Sequence, residues 1–186
     1  LRKAEKIVRK ALEDVKLEID AQGRDHYSPD EKAVRLSDAN FNGKSVPAIA
    51  VAAHEVAHAV QHRDGYAPLM LRQRLVKKLM VVEQVGRIVM MATPLVFAVT
   101  RNPGVALLEI AAAFGILASP ILMHLMTLPT EIDASFNKAL PVLEGYLPPE
   151  DIKGAKSVLR AAAFTYVASA LVSLLNVARW LRVLRF

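Results

Sequence analysis

The sequence predicts a mainly α membrane protein: a helical bundle with about three transmembrane helices, and a small α+β cap formed by the residues ahead of them. Three observations lead there. Hydrophobic residues make up 53% of the 186, and mean hydropathy is +0.28, more than a soluble domain with a polar surface to cover usually carries. The apolar residues collect in three long runs, about 79–100, 105–128 and 157–184, each long enough to cross a bilayer. Residues 1–78, in contrast, alternate between short strand-like and helix-like patterns and hold most of the basic residues. The whole chain, 1–186, reads as a single domain with a cap over 1–78.

In order along the chain, residues 1–16 read as an amphipathic helix with Ile7, Val8, Ala11, Leu12 and Val15 as its stripe. Leu17-Glu18-Ile19 suggests a short strand, and Gly23, Asp25, Ser28, Pro29 and Asp30 mark turns. Lys32 to Ser37 alternates polar and apolar residues, as a half-buried strand does. A small sheet in this place is suited to holding an extended peptide by strand addition. Ser45 can cap a helix over about 45–63 with Pro47 in its first turn and Gly65 beyond its end. The apolar run of that helix is too short for a span, so it reads as a buried core helix.

Pro68 opens a basic helix that leads into the first run, where Glu83 and Arg87 stand at i and i+4 and can pair. Arg101-Asn102-Pro103-Gly104 is a tight turn, and Pro94 and Pro120 would kink the two spans it joins. A partly polar helix follows over about 130–144. Pro148-Pro149 breaks the chain before the last run, which is rich in Ala and Ser as packed membrane helices are.

The net charge of +6 lies mainly in the first half and near helix ends, with no platform of arginine and aromatic residues. That excludes nucleic acid and favours a membrane surface. Cysteine is absent, so disulfides and thiolate ligands are excluded. The first residue is Leu1 rather than Met, so a segment upstream is expected.

The chemistry lies in His54-Glu55-Val56-Ala57-His58, an H-E-x-x-H pattern within the apolar helix. On a helix the two histidines stand one turn apart on one face and can share one ion. Glu55, about 100° round, can reach a water on that ion without ligating it. Zinc would make such a water acidic, with a pKa towards ~7. His62 lies two turns from His54, too far to share the ion, and reads as structural.

With cysteine absent, a carboxylate is the expected source of a third ligand. Two crossings return the chain to the side it left, so a helix starting near Thr130 lies on the face of His54 and His58, and Glu131 is the expected ligand. Asp133 is its competitor but points the opposite way.

At these residues the chain resembles the YugP-like neutral zinc metallopeptidases of bacterial membranes. The likeness is carried by His54 to His62, Gly65-Tyr66 and Leu128 to Ser135. It extends to Asp25-His26-Tyr27, Val34 to Ser37, Gly154-Ala155-Lys156 and Ala163 to Tyr166. That family is similar to the HtpX-like and prenyl-protein-processing gluzincins. The resemblance implies a zincin-like cap holding one Zn²⁺ on His54, His58 and Glu131, with Glu55 as general base. Ser135 stands where those motifs carry Asp, and Ala57 where such helices often carry Gly. The bond that orients a ligating histidine must therefore be weaker or come from another group. Family members usually begin with one more membrane helix.

Tyr166 and His26 are the candidate donors to a developing oxyanion. Cations concentrate on the side of the cap, which predicts a multi-pass protein of the plasma membrane with its site facing the cytoplasm. The expected activity is a zinc endopeptidase acting on peptides or proteins at the surface of the bilayer. A catalytically silent scaffold with structural zinc is the alternative. An intramembrane protease is a weaker third, since Asp64-Gly65 lies too close to His58 to supply a ligand. No feature of the sequence specifies an oligomeric state.

Overall fold

Lys16–Ile19 (β1), His26–Ser28 (β2) and Ala33–Leu36 (β3) form one three-stranded sheet in the computed structural model, which describes residues 15–183. The amphipathic helix expected at the start therefore lies almost wholly outside the described residues. β3 is central, parallel to β1 and antiparallel to β2. Ala33, Val34 and Leu36 are fully buried. Arg35 faces outward, bonding Glu18 at 3.0 Å and pairing with Glu31. The segment expected to be only turns contains β2. Asp25 fixes its start by accepting from Ser37 N and Asn40 Nδ2, both at 2.8 Å, and so ties it to the short helix α1 (Asp38–Phe41).

Helix α2 (Val46–Arg63) carries the histidine motif. Its first turn is set by Ser45, whose side chain accepts from Ala48 N at 3.3 Å. Gly65 just beyond its end takes φ +63°, a left-handed conformation that glycine adopts without a Cβ clash. Alanines at 48, 50, 52, 53, 57 and 59 are all buried. Small side chains on several faces let α2 sit inside a core that includes Val34, Leu36, Leu140, Leu143 and Leu159.

Three long helices follow: α3 (Ala67–Thr100), α4 (Pro103–Ile132) and, later, α6 (Pro149–Val183). Between α4 and α6 lie a π-helical segment, Asp133–Ala139, and the short α5 (Leu140–Glu144). The chain divides into two compact units. The first ends at Met70 and resumes over Leu128–Thr165; the second comprises Leu71–Thr127 and the segment from Tyr166. Sheet, α2, π-helical segment and α5 belong to the first. In the second, Gly86 on α3 makes room for the Ile116 side chain on α4. Large apolar residues there stay open to the surroundings, Met91 at 84% and Val99 at 77% exposure.

The expectation of about three transmembrane helices is not supported. Among the described residues one helical stretch, Pro149–Leu175, is long and apolar enough to cross a membrane, with mean hydropathy 1.8 over its best window. The other two runs, 79–100 and 105–128, contain no such stretch among the described residues. Among the described residues the protein is mostly helical, with one candidate span and a small three-stranded sheet.

The α1–α2 connection leaves no space at Gly43. A Cβ there would lie 2.6 Å from Ala48 Cβ and against the Ala39 carbonyl, neither of which can swing aside. Gly43→Ala is expected to destabilise the first unit by about 1–3 kcal/mol. Thermal unfolding followed by circular dichroism checks this, and an unchanged midpoint would contradict the packing.

Candidate metal centre

The i, i+4 spacing on α2 places His54 and His58 on one face, with their rings edge to face and centroids 4.7 Å apart. Glu131, in the last turn of α4, comes in against both. Its Oε2 lies 3.1 Å from His54 Nε2 and 3.5 Å from His58 Nε2. All three residues are buried, Glu131 to 2% exposure, and each offers one ligand atom within 4.8 Å of the others. Bonds of 2.0–2.1 Å at tetrahedral angles would separate donor atoms by about 3.3 Å, and two of these contacts bracket that value. Two imidazoles and one carboxylate are also the donor set that zinc accepts.

The electrostatics are those of a tightly paired site. Burial alone would raise the pKa of Glu131. Hydrogen bonds to His54 and His58, and their charge, outweigh it and lower the value to about 2. Burial alone would lower that of His58. Its hydrogen bond to Glu131 and the charges of Glu55 and Glu131 raise it above the ordinary histidine value instead. Glu55 itself is buried on α2 and stands outside the group of three ligands.

Behind the ligands lies a second set of contacts. Ser135 Oγ is 3.2 Å from His54 Nδ1, so a hydroxyl does occupy the place discussed for an aspartate. Asp133, the competing candidate ligand, instead accepts from Gln61 Nε2 at 2.8 Å. Gln61 also reaches His58 Nδ1 at 2.9 Å and Thr130 O at 2.8 Å. Sequence reasoning passed over Gln61, although it lies three residues after His58 and seven after His54, on the same helical face. His62 turns to the sheet, its Nδ1 2.8 Å from the Tyr27 hydroxyl.

The two candidate oxyanion donors are carried by β2 and α6. Tyr27 faces α2, so the alternation of β2 turns His26 to the other side of the sheet. Tyr166 belongs to the second unit, where its hydroxyl accepts from Arg72 Nη2 at 3.2 Å and its ring lies 5.9 Å from that of His124.

A family model described as "putative neutral zinc metallopeptidase" matches residues 2–185. The chain is 36% identical over 160 residues to "Putative membrane protease YugP" of Bacillus subtilis (strain 168), covering 86% of this chain and 68% of that protein. No solved structure matches it. The chain belongs to this family of neutral zinc metallopeptidases, whose ion the buried His54, His58 and Glu131 can hold.

A ligating histidine must give up its proton, and the raised pKa of His58 makes the proton compete up to a higher pH. Glu131, lowered to about 2, stays ionised throughout. Zinc affinity is therefore expected to fall as pH drops, by at least about tenfold between pH 8 and pH 6. Calorimetric titration in two buffers of different ionisation heat measures the affinity and the protons released. An affinity flat over this range would contradict the pairing.

Proposed function

We propose that the protein is a membrane-bound zinc endopeptidase of the gluzincin kind, hydrolysing peptide bonds in peptides or proteins at the membrane surface. One observation carries this reading: three buried protein ligands, His54, His58 and Glu131, lie together beside Glu55. Among the described residues no fourth ligand joins them. A structural zinc site closes with four protein ligands, whereas a catalytic one keeps a position open.

A bound zinc ion supplies Lewis-acid activation of water and of the scissile carbonyl. The work of the chain is to move the proton. Glu55, ionised, accepts the proton of the attacking water as the oxygen bonds to the carbonyl carbon. It then returns that proton to the amide nitrogen as the C–N bond breaks; the second proton of the water follows, leaving a carboxylate and an ammonium group. β2 is an edge strand tied to α2 by the Tyr27–His62 bond. It is the proposed place for an extended substrate to pair.

Membrane binding is supported by the apolar stretch Pro149–Leu175 and by the exposed apolar side chains of the second unit, such as Met91, Val99 and Leu108. The concentration of Lys and Arg ahead of residue 79 supports a site on the cytoplasmic face.

Glu55→Gln is expected to keep zinc while losing cleavage of a casein or peptide substrate by about 10²-fold or more. Elemental analysis and a cleavage assay measure the two. Cleavage persisting at the wild-type rate would remove Glu55 from the mechanism.

A further inference from the structure

We infer that Gln61 is a positioning residue for the metal: anchored on Thr130 and Asp133, its amide oxygen keeps the ring proton of neutral His58 on Nδ1 and leaves Nε2 to ligate. This rests on the assignment of His54, His58 and Glu131 as the ligands.

Gln61 is completely buried, and the partners of its amide all have fixed polarity. Nε2 donates to Thr130 O and to Asp133 Oδ2, both at 2.8 Å. A backbone carbonyl and a carboxylate only accept, so the NH₂ end must face them and Oε1 must face His58. Asp133 is held as an acceptor in turn, with Asn137 Nδ2 at 3.1 Å from Oδ1 and Lys138 Nζ at 3.6 Å from Oδ2.

An amide oxygen has no proton to give. The 2.9 Å contact between Gln61 Oε1 and His58 Nδ1 is a hydrogen bond only when Nδ1 carries the proton. Neutral imidazole has one such proton, so the lone pair is then on Nε2. Glu131 Oε2 competes for the proton from 3.5 Å, a longer contact than that of Gln61, and a metal ion held by Glu131 ends the competition. His54 is held differently. Its Nδ1 partner is the Ser135 hydroxyl, which can donate or accept and so does not select a tautomer. Gln61 also bonds the carbonyl of the residue just before Glu131, linking the histidine helix directly to the third ligand.

The test uses the ¹⁵N-labelled chain loaded with zinc, at a pH where its histidines are neutral. His58 is expected to show a protonated Nδ1 and an unprotonated Nε2. Gln61→Leu removes the acceptor at similar bulk and should weaken zinc binding about 10–100-fold, with His58 populating both tautomers.

A wild-type His58 protonated on Nε2 would overturn the inference. So would a folded Gln61→Leu that binds zinc as the wild type does. Should Gln61→Leu not fold, the wild-type spectrum decides. Zinc binding unaffected by His54→Ala and Glu131→Gln would overturn the ligand set instead, a separate result.

Discussion

A carboxylate buried to 2% exposure is tolerated only where something of opposite polarity meets it. In this protein two imidazoles do so, and the arrangement around Glu131 follows from that requirement. The histidines must come from one helix face to reach the same oxygen. That helix must be slim enough to lie inside a core, and its other polar groups must find partners on the strand or helix facing them. The alanines of α2 meet the second condition and Gln61 with His62 the third. The same pairing that stabilises the buried charge gathers the donor atoms a metal needs.

The packing around α2 also explains the division of labour among its polar residues. Those on the face towards α4 and the π-helical segment hold the centre: His54, His58 and Gln61. His62, only one residue beyond Gln61, meets Tyr27 on β2 and fixes the sheet instead. Neighbouring positions on a helix are about 100° apart, so adjacent residues serve different partners.

Local periodicity is what this sequence makes legible. The i, i+4 histidines, the Ser45 cap and the glycine after α2 are each written within a few residues. The absence of cysteine narrows a third ligand to histidine or a carboxylate. Other features have no such local signature. β2 is three residues long and composed of polar and aromatic types that also suit a turn. Gln61 drew no attention beside His62, because a glutamine carries no metal pattern of its own. The π-helical segment leaves no mark in composition. Of the three apolar runs expected to span, only Pro149–Leu175 is a candidate among the described residues, because a hydropathy run by itself does not distinguish a span from another long apolar helix.

The π-helical segment has one more consequence. Upstream of it, Glu131 looks towards the histidines; downstream, Leu140 and Leu143 fill the interior beside the sheet. One extra residue per turn sets the phase between these two tasks, as a spacer sets the timing of two cams on a shaft. Were the same residues wound as a regular α-helix, everything after the segment would rotate by about 100°. The carboxylate and the leucines could then not both face inward, so the length of this turn is as much a part of the centre as its side chains.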